Sequence, residues 1–406
     1  MSSRPRCELE FTSAEFVRDP YPALAAQRAL GPIGWHDGLQ LWVVVSHEHC
    51  SAVLRDRRLG RIWSDRQPTE RYEPFNLLHR NQMMENEPPN HSRLRRKVST
   101  AFARGHIERM RPRVVALGAA LLDEVCGEQF DVLAAYAEPL PVQVIAELLG
   151  APGADVARLR SWSQAIGRMY EPTVPAEDDA AAVTASIEFG DYMRDLVAER
   201  RAHLREDLLS DLIEAQFGSD GLTDDEVLAS AVLLLNAGHE ASVNVFGNGL
   251  ASLLRADGQW SRLVRREVPA ETVVEEMLRY DSALQLFERT ATTDLDVAGQ
   301  SIREGERVAV LLGSANRDES VFDRAKMFDA GRDPNPHLAF GAGLHFCLGA
   351  PLARMELAES LRLLSATYPD LTLADAAELE RRPTFVLRGY SRMPVMAGTR
   401  EKVRGG

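Results

Sequence analysis

One cysteine in this chain stands in a frame suited to chemistry. Cys347 lies in the run Phe340-Gly341-Ala342-Gly343-Leu344-His345-Phe346-Cys347-Leu348-Gly349. Gly341 and Gly343 permit positive φ and carry no Cβ, so the backbone there can bulge against a large flat ligand while Phe340 shields one side of the sulfur. Gly349 opens an apolar stretch with Leu352, Leu357, Leu361 and Leu364 at mostly helical spacing, leaving Cys347 just ahead of a helix N-terminus. The free N–H groups and positive dipole end of such a helix favour thiolate over thiol, by about 0.3–1 kcal/mol from the dipole alone. A soft thiolate with no second cysteine nearby suits a single axial bond to haem iron, and a cysteine-ligated haem promotes O–O cleavage. Two other readings compete. An isolated cysteine is usually a small buried apolar residue, but three glycines and a histidine frame this one. A nucleophilic Cys/His pair is disfavoured because His345 is two residues from Cys347, whereas such partners normally meet from distant segments. Cys7, Cys50 and Cys126 have no comparable frame and read as structural.

Three further sets of residues could act with that sulfur. In Leu233-Leu234-Leu235-Asn236-Ala237-Gly238-His239-Glu240-Ala241-Ser242, the small Ala237 and Gly238 interrupt a bulky helical run. A glycine there costs about 1 kcal/mol relative to alanine, so close approach of a ligand or of another helix is the reason to look for. His239-Glu240 resembles the start of a zinc helix, but the second histidine would fall at position 243, which is Val243. Glu276 and Arg279 have a spacing shared by Glu15/Arg18, Glu304/Arg307, Glu359/Arg362 and Glu378/Arg381. Val273, Val274, Met277 and Leu278 set Glu276 and Arg279 apart, because they give that helix an apolar face. A surface ion pair is otherwise the ordinary reading of such a pair. Finally, His91 and Arg95 are four residues apart and share one helical face, where their cations can meet an anion.

The elements that must position these groups are mostly helical. Helix-type periodicity covers 94–126, 141–150, 181–204, 224–254, 261–280 and 350–367, and short β-type runs occupy Leu41–Val45 and Val308–Leu312. The fold class expected is mainly α with a small β lobe. The 406 residues, 45% of them hydrophobic, can bury a large core, and nothing between 20 and 395 reads as a flexible linker. The expected organisation is a polar N-terminal segment at 1–19, one catalytic domain at 20–395 and a tail at 396–406. The longest strongly apolar run, Val227–Leu235, falls far short of the roughly 20 residues that span a bilayer, and Met1–Glu10 is polar, so no membrane anchor or signal is expected. Four scattered cysteines argue against a disulfide or zinc scaffold and favour a reducing cytoplasm. A net charge of −13 speaks against general nucleic-acid binding.

From about residue 20 to about 395, with these motifs in order, the chain resembles a soluble bacterial cytochrome P-450. The resemblance implies the cytochrome P-450 fold around a buried haem b (iron protoporphyrin IX), with Cys347 as the iron ligand and Phe340, Gly341 and Gly349 shaping its loop. It implies that His91, Arg95, Arg289 and His345 clamp the haem propionates, and that Ala237 and Gly238 let the central helix pass close above the haem. Glu240 takes the acid position that supplies protons to the haem pocket. Glu276, Arg279 and Arg332 become a buried pair and its tie to the cysteine loop. Most relatives carry a threonine hydroxyl after the acid, whereas this chain has Ala241 and then Ser242, which points about 100° away on a helix. Proton delivery through ordered water or a substrate hydroxyl is the expectation that follows. The resemblance draws the substrate pocket from 63–78, 162–171, Leu284, Leu286, Phe287, Phe385 and Val386. It implies a monooxygenase that inserts one atom of O2 into a mid-sized organic substrate. Because the chain has no recognisable flavin or iron–sulfur module, electrons must come from NAD(P)H through a ferredoxin reductase and a ferredoxin. Arg93, Arg96, Lys97, Arg104, Arg109, Arg111 and Arg113 are candidates for docking that ferredoxin. Haem-dependent oxidation without oxygen insertion, by phenol coupling, desaturation or peroxide, is the first alternative; a non-catalytic haem sensor is the second.

Overall fold

The computed structural model describes residues 4–99, 104–375 and 378–400, without the side chains of 104–106. Residues 100–103, inside the helix expected over 94–126, and the Arg104 side chain lie outside the described residues. Two compact units divide the chain. The first comprises Met1–Leu59, Arg111–Leu140 and Ala241–Gly406; the second comprises Gly60–Met110 and Pro141–Glu240.

The first unit is organised on a mixed sheet whose adjacent strands run Ile33–His36, Leu41–Val44, Arg307–Leu311 and Leu286–Ala291. Leu41–Val44 pairs parallel to Arg307–Leu311, and Leu286–Ala291 pairs antiparallel to it, with Phe287 opposite Val310 and Arg289 opposite Val308. The alternation of side chains along a strand sorts these runs onto two faces. Trp42, Val44, Val308 and Val310 pack on one side with Cys50, Leu54, Leu338 and Ala342. Leu41, Val43, Ala309 and Leu311 pack on the other with Phe16, Leu24, Phe385 and Val386. Continuous apolar runs are what a sheet covered on both faces requires. This unit also holds the helices Ala270–Tyr280 and Ala350–Thr367.

The second unit is helical, with Thr69–Arg80, Asn90–Ser99, Val156–Gly167, Ala176–Ala202 and Leu208–Glu214. The long helix Asp224–Arg255 belongs to it through Glu240 and to the first unit from Ala241 onward. Its start is a capping box: the Glu226 N–H donates to Thr223 Oγ1 at 3.2 Å, and the Thr223 N–H donates to Glu226 Oε2 at 2.9 Å. Asp224, Asp225 and Glu226 in the first turn and Arg255 in the last complement its dipole.

Two expected boundaries change. The stretch 261–280 is two helices, Gln259–Val264 and Ala270–Tyr280, because Arg266 takes a left-handed φ of 58° and Pro269, immediately before the second helix, has no N–H to continue the first. The helix expected to begin at 181 starts at Ala176, where Pro175 stands at the N-cap and Glu177, Asp178 and Asp179 fill the first turn. No helix among the described residues is long and apolar enough to cross a membrane.

Candidate active site

The cysteine loop is fastened at both ends. The Leu338 N–H donates to Asn316 Oδ1 at 2.7 Å, and Leu338 and Ala342 are buried against the sheet. The Gly341 N–H then donates to the Leu338 carbonyl at 2.8 Å, and the Cys347 N–H to the Phe340 carbonyl at 3.0 Å, folding the segment back on itself. Gly341 and Gly343 adopt φ of 68° and 71°. A Cβ on Gly343 would lie 2.4 Å from the Leu54 carbonyl oxygen, so this glycine is required by both conformation and space. Gly349 is the N-cap residue of Ala350–Thr367, so the exposed Cys347 thiol stands just ahead of that helix's positive end. His345 lies half-buried in the short turn Gly343–His345. Arg289 is buried on its strand, donating to the Glu288 carbonyl at 2.9 Å, with its guanidinium 5.6 Å from the Phe287 ring centre.

Glu276 and Arg279 form a two-pronged pair at 2.7 Å on each prong, and neither side chain has any exposure. Arg332 Nε reaches Glu276 Oε2 at 3.0 Å, Asn335 Nδ2 reaches the same oxygen at 3.2 Å, and the Asp329 N–H donates to Oε1 at 2.9 Å. Arg279 spends its other N–H groups on the carbonyls of Asn316, Ala325 and Met327. One carboxylate therefore ties the segment before the cysteine loop to the helix Ala270–Tyr280.

Its neighbour Glu275 makes a second tie that sequence reasoning missed. Arg354, on the helix after Cys347, donates to both Glu275 oxygens at 2.6 and 2.8 Å, and the His337 ring nitrogen lies 3.0 Å from Oε2. The Arg354 guanidinium also covers the Phe340 ring at 4.6 Å. Burial works against the Glu275 carboxylate, but the hydrogen bonds from Arg354 and His337 outweigh it and lower its pKa to about 2. The only local signal was the doubled glutamate at 275–276; the partners lie 62 and 79 residues away.

In the second unit, His91 is buried and Arg95 half-buried on Asn90–Ser99, four residues apart as expected. On the long helix, Leu233–Leu235 and His239 are buried, whereas Ala237 is exposed. A Cβ on Gly238 would meet Ile145 at 2.8 Å, so helix packing accounts for this glycine. The His239 ring nitrogen stands 3.6 Å from Glu240 Oε1. Ala241 is half-buried and Ser242 buried on the following turn.

Part of the expected pocket gathers in this unit. His79 stacks between Phe75, at 4.0 Å, and Trp63, at 4.8 Å, and its ring nitrogen lies 3.1 Å from the Tyr170 hydroxyl. The segments 63–78 and 162–171 thus meet through a histidine one residue beyond the expected boundary. Burial, opposed by a bond to the Phe75 carbonyl, lowers the pKa of His79 to about 4, so the ring is neutral at pH 7. In the first unit Leu284, Leu286 and Phe287 are half-buried, while Phe385 and Val386 are buried in the core, Phe385 against Phe11 and Phe16. Most of the expected docking cations are paired: Arg93 with Glu226, Arg96 and Lys97 with Asp220, and Arg111 with Glu359.

A cysteine loop braced by a buried Glu276–Arg279–Arg332 cluster, with a helix starting just behind the sulfur, can be set beside known proteins. The family model "Cytochrome P450" matches residues 269–364. The cytochrome P450 monooxygenase PikC of Streptomyces venezuelae is 37% identical, covering 97% of this chain and 95% of its own. The chain belongs to the cytochrome P450 family. The 6-deoxyerythronolide B hydroxylase of Saccharopolyspora erythraea is also 37% identical, over 95% of this P450 and 98% of that enzyme. The crystal structure of P450BioI with a hexadec-9Z-enoic acid ligated acyl carrier protein superposes with a TM-score of 0.90 at 34% identity, covering 95% of this chain and 100% of that one. This P450 is a monooxygenase whose cofactor is haem b. The residues present fit that group. The exposed Cys347 thiol ends a loop that turns through two left-handed glycines, and Ala237 is exposed between the buried runs 227–235 and 242–253 of its helix.

Proposed function

We propose that this P450 oxygenates a mid-sized, already oxygenated natural product, drawing electrons from NAD(P)H through a ferredoxin reductase and a ferredoxin. The observation that carries the proposal is Ala241 after Glu240: the chain supplies an acid but no adjacent hydroxyl, so a substrate bearing its own hydroxyl completes the proton path. One relative similar over nearly its whole length, the 6-deoxyerythronolide B hydroxylase, supports this reading through the substrate in its name.

Cys347 would hold the iron through its thiolate, and the haem, when bound, would supply the oxygen-activating chemistry. Phe340, under Arg354, limits water at the sulfur. His91, Arg95, Arg289 and His345 are the residues that would hold the propionates, by charge-assisted hydrogen bonds. Glu240, with His239 beside it, holds and passes the proton at its carboxylate. Leu284, Leu286 and Phe287 present apolar surface to the substrate.

The test is a reduced, carbon monoxide difference spectrum of the protein and of Cys347→Ala, followed by turnover of 6-deoxyerythronolide B under isotopic O2 with a ferredoxin and its reductase. A thiolate-type Soret band lost in the variant, and one labelled oxygen in the product, are expected. An unlabelled oxidised product would replace oxygen insertion by coupling or desaturation. A variant that keeps the band would remove Cys347 from the iron.

A further inference from the structure

A cavity of the first unit, about 1300 Å³, has no wall in the Phe340–Gly349 loop. It lies among the helices Ala14–Arg18 and Tyr21–Leu30, the last turn of the long helix, the end of Ala270–Tyr280 and the segment 379–390. Eight arginine or lysine side chains line it against two carboxylates, Asp19 and Asp281. Glu138 and Glu319 pair with two of the cations from outside the wall and Asp318 acts on Arg28, so eight cations still face five acids, in a chain whose net charge is −13.

The floor of the cleft is rigid. Asp281 accepts from Tyr21 Oη, Arg388 Nε and an Arg381 terminal nitrogen, each at 2.8 Å, so its charge is consumed within the wall. Arg388 also reaches the carbonyl of Arg18 at 2.9 Å, holding the helix Ala14–Arg18 in place. Arg317 is clamped between the Tyr280 and Tyr21 rings, 3.4 and 4.2 Å from their centres, and donates to the Tyr280 carbonyl at 2.6 Å. The rim is different. Arg18 and Arg255 are exposed and have no carboxylate partner among the described residues; Arg255 donates only to the Tyr390 hydroxyl, at 2.9 Å. Fixed cations below and available cations above, in a concave low-dielectric wall, focus a positive field that would be self-repulsive without a counter-charge.

We infer that this cleft is a binding site for a small polyanion carrying two or more phosphate or carboxylate groups, separate from the cysteine loop. Its concavity suits a compact ligand rather than the flat face of an acidic protein, and guanidinium groups match both anion classes by paired N–H donation.

The experiment is calorimetric titration of haem-loaded protein with inorganic pyrophosphate at low ionic strength, with citrate as the carboxylate arm. Wild type, Arg18→Ala/Arg255→Ala and Arg194→Ala are compared, the last removing an exposed cation of the second unit. The expected result is saturable one-to-one binding of pyrophosphate, weakened at least tenfold in the double variant and unchanged in Arg194→Ala, with the carbon monoxide difference spectrum the same in all three. Displacement of pyrophosphate by citrate supports a polycarboxylate ligand, and selectivity for pyrophosphate supports a phosphate one. Absence of saturable binding would overturn the site, as would equal weakening by Arg194→Ala or no weakening in the double variant. Binding of an acidic ferredoxin lost in the double variant, with neither small anion bound, would overturn it in favour of a protein surface.

Discussion

Replacing Glu276 by alanine tests the brace behind the cysteine loop most directly. The carboxylate accepts five hydrogen bonds, two from Arg279 and one each from Arg332, Asn335 and the Asp329 N–H. The variant leaves Arg279 fully buried and charged, satisfied only by the carbonyls of Asn316, Ala325 and Met327. Removing one partner of a buried pair costs about 3–5 kcal/mol. With an unfolding entropy near 2.1 cal/mol/K per residue, 406 residues give roughly 0.85 kcal/mol per degree, so Tm should fall by about 4–6 °C. Thermal unfolding of the haem-loaded protein followed by circular dichroism, with haem content read in parallel, supplies the number. Arg332→Ala should cost less, because it leaves the Glu276–Arg279 prongs intact. A Tm for Glu276→Ala within a degree of wild type would refute the reasoning, since it would mean that water or rearrangement satisfies Arg279 without cost.

Glu356 is buried on the helix after Cys347, one of its oxygens has no hydrogen-bond partner among the described residues, and burial raises its pKa to about 8. The folded state therefore binds the proton more tightly than the unfolded one, and stability falls by about 1.4 kcal/mol per pH unit between roughly pH 4.5 and 8. Urea unfolding across that range should show Glu356→Gln gaining on wild type as pH rises; parallel curves would contradict the linkage. Glu275 has the opposite sign: its pKa is lowered to about 2, so its contribution is complete above the unfolded value near pH 4.5 and is lost as pH falls toward 2. Glu275→Gln should flatten the acid limb of the stability curve, and an unchanged limb would count against the Arg354–His337 tie. Gly343→Ala should destabilise by about 2 kcal/mol or more, through left-handed backbone and a clash with the Leu54 carbonyl. Gly349→Ala, whose Cβ would meet only the Cys347 sulfur at 4.0 Å, should cost less, and a reversed order in thermal unfolding would refute that contrast. Ala241→Thr should leave the coupling of electron consumption to product nearly unchanged if the substrate completes the proton path; a gain of about tenfold or more, on the scale of a restored acid–base group, would refute it.

Much of the site was legible because its physics is local. A glycine that must hold positive φ, a cysteine just before a helix and an i, i+3 ion pair all lie within a few consecutive residues, and backbone geometry turns that spacing into proximity. The continuous apolar runs Leu41–Val45 and Val308–Leu312 likewise suit a sheet buried on both faces. Sequence alone thus singled out Cys347 as the candidate sulfur, and determined the glycine turns before it, the helix behind it, the choice of Glu276 and Arg279 as a buried pair and the dominance of helices. Pro269 breaks the stretch 261–280, and the apolar periodicity on either side of it masks that break. Tertiary structure decided the rest. It joined Glu275 to His337 and Arg354, set His79 between Trp63, Phe75 and Tyr170, sent Phe385 into the core, and drew cations from helices and loops hundreds of residues apart around Asp281. Such contacts carry no spacing signal, because what brings them together is packing over long loop closures, where the chain between the partners can take almost any length.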